Sequence, residues 1–221
     1  VDGLVGSEMC IRDSPFSIPV IGNKTNITFG DLDNDGDADA IAGEQSGNIF
    51  FLENVGSPTM PLFNSTVVNP FNFIPTDSVS KPALVDIDND GDFDLFCGNY
   101  SGQVVFYENT GTPDSAFFAN PVIDPNEFSA SHNYSTIAFV DVAADGDYDA
   151  FVGTAYGDAG DYFENNGTSD SAVFESQFNS WATSGWHFHL AWTFADLDGD
   201  GDHDGFAGEE SGRIYYYENL A

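Results

Sequence analysis

Short runs of apolar and aromatic residues, separated by Gly, Pro, Asn and Asp, alternate along most of the chain. The run at 26–30 is followed by similar runs at 40–43 and 49–54. Runs of this length and composition, bounded by turn-forming residues, are typical of β-strands. No stretch of roughly ten residues carries the period of an amphipathic helix. The pattern therefore predicts an all-β protein.

These runs repeat every 55 residues. The units span 15–69, 70–124, 125–179 and 180–221. Each unit contains three or four predicted antiparallel strands. The aligned positions in the first strand of each unit are all large and apolar: Phe29, Leu84, Phe139 and Phe194. One small sheet cannot bury both of its faces, so neighbouring units have to stack. We predict a β-propeller-type array of four blades, with an open β-solenoid or a β-sandwich pair as alternatives.

The two ends of the chain differ from the repeat. Residues 1–14 (VDGLVGSEMCIRDS) lack the layout of a signal peptide and resemble a translated sequencing-adapter scar, with a disordered leader as the alternative. We exclude them from fold prediction. The fourth unit is 13 residues shorter than the others. We therefore expect a segment of a larger propeller, continuous with further repeats; a closed four-bladed propeller is the alternative.

An aspartate-rich loop follows the first strand of every unit. The first loop reads DLDNDGDAD over residues 31–39, with aspartates at positions one, three, five, seven and nine. The first, second and fourth loops keep all five aspartates. These are Asp31, Asp33, Asp35, Asp37 and Asp39; Asp86, Asp88, Asp90, Asp92 and Asp94; and Asp196, Asp198, Asp200, Asp202 and Asp204.

This spacing predicts calcium sites. Alternate residues of a tight loop can turn oxygens toward one point, and Ca²⁺ takes six to eight oxygen ligands. We expect carboxylates from positions one, three, five and nine, and the backbone carbonyl of position seven, whose side chain would face solvent. Without a cation, close carboxylates repel by about 1 kcal/mol per pair in water and about 4 at a protein surface. Magnesium fits less well, because it requires strict octahedral geometry and retains water.

The third loop departs from the pattern, because Ala143 occupies position three. Asp141, Asp145 and Asp149 remain, together with the carbonyl of Asp147. We predict weak or absent ion binding there. An EF-hand is excluded for all four loops, because position twelve is Ala, Cys or Val rather than the glutamate that an EF-hand requires.

The loop is followed in each unit by a G-x-x-x-G element and a Y-x-E-N element or variants of them. Together these resemble the FG-GAP and VCBS-type repeat over about Pro15 to Ala221. The resemblance implies calcium-binding blades of an integrin-α-like propeller. Such repeats also occur in secreted bacterial surface proteins and in accessory domains of polysaccharide-degrading enzymes.

Charge narrows the choice of partners. The chain has 37 acidic and 4 basic residues, for a net charge of −33. Nucleic acid and anionic membranes would be repelled, and no apolar run is long enough to span a membrane. Calcium at roughly 0.1–1 mM affinity, which is typical of extracellular modules, suits an extracellular or cell-surface protein. We therefore expect a protein or glycan ligand.

Other residues receive structural interpretations. We interpret Cys97 as a small buried residue, so a disulfide framework is not expected. Trp192 is expected to pack between blades. His203 aligns with Ala38, Phe93 and Tyr148 at a variable loop position and is assigned no function.

No nucleophile motif is evident, and we expect no enzyme activity. The first hypothesis is a calcium-stabilised binding or adhesion module. The second is an accessory, non-catalytic domain of a secreted polysaccharide-degrading enzyme, and the third is a structural spacer.

Overall fold

The computed structural model describes residues 20–125, 128, 133–155, 161–177 and 189–219. The leader at 1–14 and the unit boundaries at 15 and 180 lie outside these residues.

Blade one contains β1 (Asn26–Gly30), β2 (Asp39–Gly43), β3 (Ile49–Leu52) and β4 (Val67–Val68). Blade two contains β5 (Lys81–Val85), β6 (Asp94–Gly98), β7 (Val104–Tyr107) and β8 (Val122–Ile123). Blade three contains β9 (Thr136–Val140), β10 (Asp149–Gly153), β11 (Asp161–Asn165) and β12 (Phe174–Ser176). Blade four contains β13 (Ala191–Ala195), β14 (Asp204–Gly208) and β15 (Ile214–Tyr217).

Each blade is an antiparallel sheet whose strands pair in chain order. In blade one, Asn26 pairs with Gly43 and Gly30 pairs with Asp39, so the aspartate loop closes the first hairpin. The only other regular element in the described residues is a short 3₁₀ turn at Pro70–Asn72. No helix in the described part of the chain has the length and apolar character needed to cross a membrane.

The hydrophobic core lies between successive sheets. The first cluster joins Ile41 and Ile49 of blade one to Leu95 and Tyr107 of blade two. Two similar clusters lie between blades two and three and between blades three and four. The first strands of successive blades, β1, β5, β9 and β13, pack beside one another. The predicted fold is confirmed as an all-β array of four propeller blades.

Each joint between successive blades repeats one close approach. A Cβ atom built on Gly43 would lie 2.2 Å from the carbonyl oxygen of Ser80 in the next blade. The corresponding distances are 2.3 Å from Gly98 to Ser135 and 2.3 Å from Gly153 to Leu190. A side chain at these glycines would therefore collide with backbone, so the joint requires the glycine that ends the second strand of the blade.

Blade four shows the same surface without a neighbour. Gly208, which corresponds to Gly43, has open space where a Cβ would stand. Thr25, which corresponds to Ser80, is exposed, whereas Ser80 and Ser135 are fully buried. The joint is thus formed three times among the described residues and not between blade four and blade one.

Two smaller predictions are confirmed. Cys97 is a free, fully buried residue of the first core cluster. Trp192 packs in the cluster between blades three and four, where its ring lies 5.3 Å from that of Phe151.

Candidate metal centre

The four aspartate loops lie at the same end of their blades, because each joins the first strand of a blade to its second. The glycine at position six is left-handed in all four loops, with φ of 91° at Gly36, 93° at Gly91, 97° at Gly146 and 103° at Gly201. Glycine adopts this conformation without the clash that a Cβ would cause. A bend with a left-handed glycine at position six is therefore present in every loop.

Backbone N–H groups orient the carboxylates of the first loop. The Gly36 N–H donates to Asp31 Oδ2 at 3.0 Å, and the Asp37 N–H donates to Asp35 Oδ1 at 3.1 Å. The Asp35 N–H donates to Asp33 Oδ1 at 3.3 Å. Each of these bonds occupies one oxygen of the carboxylate. The loop backbone thus holds the side chains in place and leaves the second oxygen available.

The carboxylates at positions one, three and five converge in three of the loops. In each loop, one oxygen from each of the three side chains lies within 4.8 Å of the others. The groups are Asp31, Asp33 and Asp35; Asp86, Asp88 and Asp90; and Asp196, Asp198 and Asp200. The Oδ1 atoms of Asp31 and Asp86 are buried and have no hydrogen-bond partner. A buried carboxylate oxygen without a donor is costly, and a bound cation would remove that cost.

The third loop forms no such group. Asp141 uses both of its oxygens inside the loop: Oδ1 accepts from the Asp145 N–H at 3.1 Å and Oδ2 accepts from the Gly146 N–H at 3.0 Å. The corresponding Oδ1 of Asp31 has no partner. With Ala143 at position three, this loop closes on itself through its own N–H groups. Weaker ion binding at this loop remains a prediction.

Position seven differs from the sequence-based expectation. Its side chain was expected to face solvent, but Asp37 and Asp92 are each only 5% exposed. Asp147 and Asp202 are also buried, and the Oδ1 atoms of Asp37, Asp92 and Asp147 lack hydrogen-bond partners. Burial, followed by the nearby charge of Asp90, raises the pKa of Asp92 to about 6. The expectation is therefore wrong, and the buried side chain at position seven adds a carboxylate beside the cluster.

Position nine holds the loop closed. Asp39 Oδ2 accepts from the Leu32 N–H at 3.1 Å, and Oδ1 accepts from the Asn54 N–H at 2.7 Å. Asp94 makes the equivalent bonds to Ile87 and Asn109. These carboxylates are almost fully buried and join the loop to the end of the third strand. The structure gives them a structural role, and ion contact through position nine remains a prediction.

The sequence analysis missed the asparagine that follows each third strand. Asn54 Oδ1 accepts from the N–H groups of Gly56 at 3.2 Å and Leu62 at 2.8 Å, and Nδ2 donates to Ala38 O at 3.3 Å. Asn109 repeats this pattern. The signal was present in the recurring E-N element, because the asparagine recurs in every unit at Asn54, Asn109, Asn165 and Asn219. The asparagine connects the aspartate loop to the turn beyond the third strand.

Comparisons with known proteins support the repeat and the fold. Residues 86–152, which include the second and third loops, match the family described as FG-GAP-like repeat. No curated protein matches the chain. The resemblance inferred from the sequence is confirmed over residues 86–152, which match an FG-GAP-like repeat, and the described sheets form a four-bladed β-propeller-like array.

Several solved structures match this fold, among them that of an Agrocybe aegerita lectin. That structure is described as the structural basis of specific recognition of non-reducing terminal N-acetylglucosamine by the lectin. The TM-score is 0.55 at 20% sequence identity, over 90% of this chain and 50% of that one. This chain therefore spans about half the length of that lectin, and at this identity the likeness concerns the fold alone.

Proposed function

We propose that this chain is a calcium-stabilised, extracellular β-propeller module that binds a protein or glycan and has no catalytic activity of its own. The observation that carries the proposal is the convergence of three carboxylates in each of three loops. In two of them a buried Oδ1 atom has no donor. Such groups fit a hard cation held by oxygen atoms.

The ligand type and the loop geometry favour calcium. Carboxylates at positions one, three and five of the first, second and fourth loops would hold the ion, with a further oxygen from position seven. Calcium accepts irregular shells of six to eight oxygens, whereas magnesium demands near-ideal octahedral geometry. The bound ion would neutralise repulsion between the carboxylates and fix the loop between the first two strands. Its role is structural.

The extracellular assignment follows from the expected affinity. Sites of this kind in extracellular modules bind calcium at roughly 0.1–1 mM, a concentration range found outside cells. The net charge of −33 disfavours nucleic acid and anionic membranes as partners.

Two observations support a ligand-binding role. The fold resembles that of a lectin whose description names N-acetylglucosamine recognition. The repeats place four loops at one end of the array, and the residue at position eight differs in each of them, an arrangement suited to recognition. Because fold does not determine function, the ligand class is part of the proposal. An accessory, non-catalytic domain of a secreted polysaccharide-degrading enzyme is the alternative.

Thermal unfolding in calcium, in magnesium and in chelator at equal ionic strength tests the calcium role. We expect calcium alone to raise the melting temperature. A free calcium concentration of one hundred times the dissociation constant adds about 2.7 kcal/mol per site to the free energy of unfolding. Calorimetric titration should give three ions per chain. An equal effect of magnesium, or no shift with either ion, would contradict the proposal.

The ligand-binding role is tested separately by screening glycans and surface proteins in calcium buffer. Binding without turnover supports the module. Turnover of a polysaccharide by this chain alone would contradict the absence of catalytic activity.

A further inference from the structure

A cleft of about 560 Å³ lies at the metal-loop end of blades three and four. Ligand pockets for small molecules fall within roughly 300–1,000 Å³. Its apolar walls include Phe139 of β9 and Trp192 and Phe194 of β13. The third loop contributes Asp141, Asp147 and Tyr148, and the fourth contributes His203. The cleft therefore combines aromatic rings with polar groups in one concave surface.

The residues at position eight of the loops distinguish this cleft from the joint between blades one and two. In loop two, position eight is Phe93, which packs into the first core cluster and lies over Gly30. In loops three and four the equivalents are Tyr148 and His203, and both are exposed. Tyr148 is 44% exposed. Position eight is thus part of the core at one joint and faces the cleft at the other.

Three polar side chains of the cleft are available to a ligand. The Tyr148 phenol, the Thr193 hydroxyl and the His203 imidazole have no hydrogen-bond partner within the described part of the chain. Asp141 and Asp147 add negative charge to the same wall. A site rich in acceptors and lined by rings suits a ligand with many hydroxyl donors and an apolar face. An anionic ligand would be repelled.

We propose that this cleft binds a neutral saccharide, with one sugar face stacked on Tyr148 and hydroxyl groups bonded to Thr193 and His203. The inference rests on the proposed binding function and names its ligand class and its place. It also gives His203, which received no function from the sequence, a role in recognition. The third loop, which lacks the converging carboxylates of the other three, serves in this arrangement as a wall of the ligand site.

The experiment compares N-acetylglucosamine, glucose and galacturonate by saturation-transfer NMR and calorimetric titration of the chain in calcium buffer. Tyr148→Ala removes the exposed ring. The matched control is Tyr100→Ala, because Tyr100 is 40% exposed and follows the second strand of blade two at the opposite end of the array. Thr193→Val removes one hydroxyl and keeps the shape. Melting temperatures establish that each variant is folded.

We expect a neutral sugar to bind wild-type protein more tightly than galacturonate does. Tyr148→Ala should weaken the binding about tenfold, Thr193→Val should weaken it severalfold, and Tyr100→Ala should leave it unchanged. Three results would overturn the cleft assignment: no binding of a neutral sugar, preference for galacturonate, or equal loss in both tyrosine variants. The calcium-dependent melting shift reports on the proposed metal role independently. A calcium shift with no effect of Tyr148→Ala on ligand binding would therefore reject the cleft alone.

Discussion

At the scale of single residues, the five aspartates of each complete loop carry out different tasks. Positions one, three and five converge on one point, position seven is buried beside them, and position nine ties the loop to the third strand. Identical side chains therefore occupy distinct electrostatic environments. The difference arises from the backbone around each carboxylate, because N–H donors reach some oxygens and not others.

Acidic pH should stabilise the protein in the absence of calcium. Burial raises the pKa of Asp39 to about 6 and that of Asp94 to about 7, from 3.8 for an unperturbed aspartate. The stabilising effect of proton uptake is complete below the unfolded pKa and is lost as pH rises through 6 to 7. In chelator, we expect a melting temperature at pH 5 that is several degrees above the value at pH 8. For a chain of this length, each kcal/mol of added unfolding free energy raises the melting temperature by about 2–4 °C. In calcium the trend should weaken, because the ion requires ionised carboxylates. A lower melting temperature at pH 5 in chelator would contradict this account.

Ala143→Asp should create a fourth calcium site. The substitution supplies the missing carboxylate at position three, in a loop whose bend is already formed by Gly146. Calorimetric titration should then give four ions per chain instead of three. Ala38→Asp is the control, because it adds the same charge to loop one at position eight, away from the converging group. Four ions in the unchanged protein would show that loop three is already complete.

At the scale of elements, each blade is held together by a buried link between its loop and its third strand. The aspartate at position nine and the asparagine after the third strand form this link. It satisfies the N–H groups of the turn that follows, such as those of Gly111 and Phe117. Buried polar groups that are fully bonded fix one arrangement, because any slip of the strands leaves a donor unsatisfied. Strand register and the shape of the aspartate loop are therefore coupled.

Asn109→Ala should destabilise the protein substantially. Asn109 is 3% exposed and accepts two backbone hydrogen bonds, so its loss leaves buried N–H groups without partners. The expected cost is about 2–3 kcal/mol, which lowers the melting temperature by about 4–12 °C. Asn64→Ala is the control, since Asn64 is exposed and bonds only to Glu53. The measurement is thermal unfolding in calcium. Equal melting temperatures for the two variants would refute the link.

At the scale of the whole molecule, the sequence predicted what is periodic and local. The strands, the repeat, the glycine at position six and the defect at Ala143 could all be derived from residue type and spacing. The burial of Asp37 could not, because spacing along the chain does not show which side chains of a loop are shielded from solvent. The cleft could not be predicted either, since it brings together Tyr148, Thr193 and His203 from separate segments. Position eight was visible only as variation, and its environment is a property of two adjacent blades.

The joint glycines provide a test of the propeller packing. Gly98→Ala places a methyl carbon 2.3 Å from the carbonyl oxygen of Ser135, which is too close for two non-bonded atoms. The methyl group of Gly208→Ala, by contrast, meets open space. Overpacking of this kind costs about 1–3 kcal/mol. We expect the first variant to melt at a clearly lower temperature and the second to resemble the unchanged protein. A loss of stability at Gly208 equal to that at Gly98 would mean that this surface is covered in solution.

Because the buried apolar clusters between blades join only neighbouring blades in the described part of the chain, the open surface at Gly208 affects the order in which the array opens. Blades two and three have a neighbour on each side, whereas blades one and four have one each within the described residues. In such arrays, stability is approximately a sum of unit and neighbour contributions, and terminal units fray first. Amide hydrogens of β6 and β10 should therefore exchange most slowly, and those of β1 and β15 most rapidly. The described molecule would then behave as a protected centre between two partly independent ends, so a protease that samples open states should cut blade one or blade four before it reaches the middle.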